Sequence, residues 1–103
     1  MRILAVTACP TGIAHTYMAA EALEREAVKR RHKIKVETQG SMGVENEITA
    51  KDVAEADVII FAVDMNVLRA DRFTGKPLVR VGVADAIKKT AKVLEQAEQA
   101  ATN

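Results

Sequence analysis

The residues of this chain best suited to covalent chemistry lie together near its start. Cys9 is the only cysteine among 103 residues. It opens the string Cys9-Pro10-Thr11-Gly12-Ile13-Ala14-His15-Thr16. A short apolar run, Ile3 to Ala8, precedes it and a segment with helical periodicity follows, so it sits where a strand hands over to a helix. A loop in that position can turn its main-chain N–H groups inward, and those groups, with the helix dipole, bind an anion such as phosphate. The same dipole stabilises a thiolate and makes the sulfur nucleophilic at neutral pH. One loop can therefore activate the thiol and then cradle a phosphoryl group carried on it. A lone cysteine is by itself usually a small core residue; the strand, the Gly-containing loop and the helix around this one favour the nucleophile.

The spacing parallels the Cys-x5-Arg-Ser/Thr loop of tyrosine phosphatases, with His15 at the Arg position and Thr16 after it. An imidazole cannot form the planar fork by which Arg clamps a phosphate, so hydrolysis is poorly served and passing the group on is favoured. In open parallel sheets, ligands bind beyond the carboxyl ends of the strands. Gln39, after the second strand, and Asp64, after the third, are therefore candidates for the rim of the same site. Nothing in the pattern calls for a metal or an organic cofactor.

The elements that position these residues follow from periodicity. Ile3 to Thr7 is unbroken and apolar, as suits a strand buried on both faces of a parallel sheet. From about His15 to Arg31, Ala19, Ala20, Leu23 and Ala27 fall on one helical face and charges largely on the other. Lys33 to Thr38 alternates polar and apolar, which predicts a strand with one exposed face, an edge. Gln39 to Glu47 is predicted to be loop. Thr49-x-x-Asp52 has the form of a capping box for a short helix over Ala50 to Ala56. Asp57 to Val63 is the strongest buried strand. Asp64 to Lys76 reads as irregular or a short helical turn, Pro77 to Val81 as a fourth strand, and Ala84 to Ala100 as helix with a break near Thr90. Strands alternating with helices imply right-handed parallel crossovers. The expected fold is α/β: one doubly wound, four-stranded parallel sheet flanked by helices, of the Rossmann or flavodoxin-like type, with residues 1–103 as a single domain.

Composition agrees. The chain is 49% hydrophobic and 28% charged, with a formal net charge of +1 and only three aromatic residues, Tyr17, Phe61 and Phe73. Those values describe an ordinary globular domain. They argue against a nucleic-acid binder, which shows a basic face and stacking aromatics. No apolar stretch approaches the roughly 20 residues that span a bilayer. The run before Cys9 is too short for a signal peptide, so neither export nor membrane insertion is expected. The lone thiol excludes an intrachain disulfide and suits a reducing cytoplasm.

The string Val6-Thr7-Ala8-Cys9-Pro10-Thr11-Gly12-Ile13-Ala14-His15-Thr16-Tyr17-Met18-Ala19-Ala20-Glu21-Ala22-Leu23 closely resembles the active-site segment of fructose-specific enzyme IIB domains of the bacterial sugar phosphotransferase system. Lys35-Val36-Glu37-Thr38-Gln39-Gly40, then Glu45-Asn46-Glu47 and Thr49, resemble that family's second strand and loop. Asp71-Arg72-Phe73-x-Gly75-Lys76-Pro77 resembles its approach to the last strand. The likeness extends from about residue 2 to 98. It implies that the cysteine matching Cys9 takes a phosphoryl group from a phosphohistidine of enzyme IIA. The group then goes to a fructose-type sugar held by the membrane permease, enzyme IIC. It also implies that residues 10 to 16 form the phosphate loop, with N–H groups from Thr11 to Thr16 as donors, hydroxyls from Thr11 and Thr16, and none from Pro10. Met65 to Ala70 departs from the commoner form of the family, which often has an acidic residue there. The chain's end soon after the last helix is expected of a free-standing component. Two other readings fit the residues alone: a small cysteine phosphatase or arsenate reductase, and a non-enzymatic anion-binding regulator of flavodoxin-like fold.

Overall fold

The computed structural model describes residues 1–10, 13–40 and 43–102. Its elements are β1 (Arg2–Ala8), α1 (Ile13–Lys29), β2 (Lys33–Gly40), β3 (Gly43–Glu45), α2 (Ala50–Glu55), β4 (Val58–Val63), a 3-10 turn (Ala70–Phe73), β5 (Leu78–Val81), α3 (Val83–Lys88) and α4 (Thr90–Thr102). The strands form one sheet in the order β3-β2-β1-β4-β5. β2, β1, β4 and β5 are parallel, with Thr7 opposite both Thr38 and Ala62. These are the four parallel strands expected. The fifth, β3, is an antiparallel addition of three residues at the β2 edge, pairing Gly43 with Gly40 and Glu45 with Thr38. It occupies a stretch predicted to be loop.

The sheet is central because β1 and β4 are apolar on both faces. Ile3, Ala5 and Cys9 pack with Ala19, Leu23, Ala27, Ala86, Leu94 and Ala97, which belong to α1, α3 and α4. Leu4, Val6 and Ala8 pack on the other face with Ile48, Val53, Phe61 and Phe73. Alternation along the strand sends successive side chains to opposite layers. Alanines on the helix faces allow close approach to the sheet. α2 opens on the capping box read from the sequence: the Thr49 hydroxyl accepts the Asp52 N–H and the Asp52 carboxylate accepts the Thr49 N–H. The predicted C-terminal helix is two helices, broken between Lys88 and Thr90, where the Thr90 hydroxyl donates to Ala86 O at 2.6 Å.

β2 departs from expectation. Its residues Val36 to Gln39 are all buried, although the polar ones were predicted to face solvent. The cause is Glu37, which is 0% exposed. The guanidinium of Arg72 donates to both its oxygens, at 2.8 and 2.9 Å, and Ile48 N–H donates to it at 2.7 Å. Arg72 also stacks over Phe73, 4.8 Å from the ring centre. A polar–apolar alternation reads the same whether the polar side meets water or a buried ion pair.

Candidate active site

The carboxyl ends of β1 and β4 and the start of α1 meet at Cys9. α1 begins at Ile13, two residues earlier than the sequence reading placed it. Ala14, His15 and Thr16 therefore belong to its first turn, where amide hydrogens have no intrahelical acceptor. That turn contains no acidic residue to compete for them. Of the predicted phosphate loop, Pro10, Ala14 and His15 are exposed and Thr16 is buried. Thr11 and Gly12 lie outside the described residues, and the backbone of Ile13 opens the helix.

Cys9 is 6% exposed and belongs to the core on one side. On the other it lines a cleft of about 330 Å³ whose walls include His15, Met18, Asp64, Ile87 and Lys88. The cleft thus gathers residues from β1, α1, the end of β4 and α3. Asp64 is tied into it twice. Its N–H donates to Ala8 O at 3.0 Å, and its carboxylate accepts the Val83 N–H at 3.2 Å. The second bond fixes the start of α3 against the end of β4. It also accounts for Gly82: a Cβ there would stand 3.2 Å from the same carboxylate oxygen. Asp64 and Cys9 thus share one cleft wall.

Gln39 does not reach the cleft. It is 3% exposed and lies with Glu37, on the opposite face of the sheet from Cys9. The reason is strand parity: Ile34 and Val36 pack with the Cys9 layer, so Glu37 and Gln39 point the other way. Its amide donates to Glu37 at 2.6 Å and to Leu68 O at 3.2 Å, and accepts the Leu68 N–H at 2.8 Å. Gln39 is a brace that pins the segment after β4 to the end of β2. Tyr17 supplies another brace, donating to Glu45 on β3 at 2.5 Å. That bond, more than partial burial, holds the phenol above its ordinary range.

Sequence reasoning missed Lys88, Ile87 and Val83 as cleft residues and Glu37 with Arg72 as a buried pair. Only Gly82, between β5 and α3, offered a local signal of close packing there. Among the described residues, no group of three or more His, Cys, Asp or Glu side chains is placed to hold a metal ion. No described helix is long and apolar enough to cross a membrane.

Fold and site define a flavodoxin-like α/β domain with one thiol at its first strand-to-helix junction. Residues 4–96 match the family described as "PTS system, Lactose/Cellobiose specific IIB subunit". Over 97 residues the chain is 53% identical to the PTS system fructose-like EIIB component 2 of Escherichia coli, covering 94% of this chain and 92% of that one. It is 54% identical over 101 residues to the fructose-specific EIIB'BC component of the same organism, covering 98% of this chain but 18% of that longer protein. Among solved structures, a domain of the fructose-specific IIABC component of Borrelia burgdorferi superposes with a TM-score of 0.91 at 44% identity, covering 95% of this chain and 93% of that one. The enzyme IIB subunit from Escherichia coli gives 0.88 at 41%, covering 95% and 91%. The chain belongs to the enzyme IIB family of the sugar phosphotransferase system, with relatives of the fructose type. Its role is that of a phosphotransferase component; EIIB domains of this system work in general with EIIA and EIIC partners.

Proposed function

We propose that Cys9 is the phosphoryl carrier, loaded by a phosphohistidine of a fructose-type enzyme IIA and discharged onto a fructose-type sugar at enzyme IIC, in the cytoplasm. The observation that supports this best is the junction itself: the one thiol stands at the end of β1, before an acid-free first helical turn, on the wall of a cleft. In the first step the Cys9 thiolate attacks phosphorus. The S–P bond forms as the P–N bond breaks, and the departing imidazole keeps the electron pair and takes up a proton. In the second step a sugar hydroxyl attacks, the P–O bond forms, the S–P bond breaks, and the hydroxyl proton passes to a base or to solvent. First-turn amides of α1, including those of Ala14, His15 and Thr16, stabilise the equatorial oxygens in both steps, with loop amides from Thr11 onward. Positioning and fixed dipoles do the work, and no side-chain acid is required at phosphorus.

The test mixes the protein with phosphoenolpyruvate, the general phosphotransferase enzymes and a fructose-type enzyme IIA. Mass spectrometry is expected to find one added phosphate, on Cys9. Cys9→Ser should fold as the wild type does, gain no phosphate and abolish sugar phosphorylation. A label on His15, or an active Cys9→Ser protein, would defeat the proposal.

A further inference from the structure

The cleft beside Cys9 holds more positive charge than the carrier reading uses. His15 from α1 and Lys88 from the last turn of α3 both line it. Neither side chain has a hydrogen-bond or ion-pair partner among the described residues. Asp64, the acid in the wall among the described residues, is engaged by the Val83 N–H. Lys88 is also well placed mechanically. Asp64 fixes the start of α3, Val83 and Ala86 are buried, and the Thr90 hydroxyl closes the helix end on Ala86 O and Ile87 O. The lysine thus projects from a short helix held at both ends.

Charge balance gives this arrangement a purpose. A phosphoryl group on a side chain carries roughly −1.5 to −2 near neutral pH. A helix N-terminus offers about half a positive charge. The amides and dipole of α1 therefore leave about one negative charge or more to be met, and in the cleft Lys88 supplies a full positive charge. We propose that Lys88 is a further catalytic residue of the transfer, its ammonium bonding non-bridging oxygens of the phosphoryl group as it moves on and off Cys9. The inference rests on Cys9 being the carrier. Lys88 neither gives nor takes a proton; it lowers the barrier by charge alone.

The test is single-turnover transfer from phosphorylated enzyme IIA, over a range of donor concentrations, to four proteins: wild type, Lys88→Gln, Lys88→Arg and Lys89→Gln. Lys89 is the control, since it borders a different cleft, with Asp85 and Lys92. Lys88→Gln should lower the saturating rate roughly tenfold or more, while the half-saturating donor concentration stays within about twofold. Lys88→Arg should recover most of the rate, Lys89→Gln should match the wild type, and all four should unfold at the same urea concentration. A Lys88→Gln protein at the wild-type rate overturns the inference. So do equal losses in Lys88→Gln and Lys89→Gln, which would mark diffuse docking charge, and an effect on half-saturation alone. If the wild type takes no phosphate on Cys9, the carrier reading fails and the inference with it; a competent wild type with a competent Lys88→Gln defeats the inference alone.

Discussion

Arg72 and Lys88 stand on opposite faces of the same sheet, near the carboxyl ends of its strands, and they are used in opposite ways. Arg72 donates to both oxygens of Glu37, to Ile48 O and to Leu68 O, with its side chain 15% exposed and that of Glu37 0%. Every lone pair and proton in that cluster has a place. Around Cys9, the imidazole of His15 and the ammonium of Lys88 have no hydrogen-bond or ion-pair partner among the described residues. A saturated buried network holds a shape and has nothing left to offer a ligand. A cleft with unmet charge keeps a binding capacity. The polar cluster on the α2 face therefore reads as the frame, through Gln39 and Leu68, and the cleft on the α1 face as the working side.

The sharpest way to break this contrast is Arg72→Met. It strands Glu37 without a counter-charge in a buried site, which costs on the order of 3–5 kcal/mol. A domain of this size has about 5–15 kcal/mol in total. Urea unfolding should show the loss directly. The double variant Glu37→Leu with Arg72→Met should regain most of it, because the pair is then removed whole. A single-variant loss below about 1 kcal/mol would mean that Glu37 is solvated or protonated, and the frame would lose its ionic basis.

The same face should also sense acid. Burial pushes the Glu37 carboxyl up, but the Arg72, Ile48 and Gln39 hydrogen bonds together outweigh it and hold the group below its ordinary 4.5. Asp52 is lowered from 3.8 to about 2, chiefly by its bond to Lys35 and then by the Thr49 N–H. A carboxyl depressed in the folded state adds stability that is present above its unfolded value and lost as pH falls through the folded one. Lys35→Met should thus lower the urea midpoint at neutral pH. The gap from wild type should persist down to pH 3.8 and close by about pH 2. A gap that is constant through that range would assign the loss to packing of the lysine stem instead.

Much of this arrangement can be read from residues alone, and the parts that cannot have a common cause. β1 and β4 announce themselves as unbroken apolar runs, the α2 start as Thr49-x-x-Asp52, the final break as Thr90, and Cys9 as a thiol between a strand and a helix. Each of these signals is local. β3 has no pattern of its own across Gly43-Val44-Glu45; it exists by pairing with Thr38, Gln39 and Gly40. The polar face of β2 is buried only because Arg72, 35 positions beyond Glu37, docks on it. Gln39 looked like a rim residue by its place after β2, and strand parity sends it to the opposite face. Lys88 resembles any cation that complements a helix C-terminus until the tertiary fold sets it beside Cys9.

The smallest predicted effect tests the contrast where the core of the working side begins. Thr7 lies two residues before Cys9 on β1 and, by alternation, in the same layer. It is 0% exposed, and its hydroxyl finds no hydrogen-bond partner among the described residues. On the other face every polar group around Glu37 is met, so Thr7 is the place where this layer departs from that economy. Valine keeps the branched shape and removes only the stranded hydroxyl, whose desolvation costs ~1–3 kcal/mol. Thr7→Val should therefore raise stability by about 1 kcal/mol, seen as a higher urea midpoint with an unchanged slope. A lower midpoint would mean that the hydroxyl has a partner in solution, a bound water beneath Cys9. The two faces would then differ in how they satisfy their polar groups, not in whether they do.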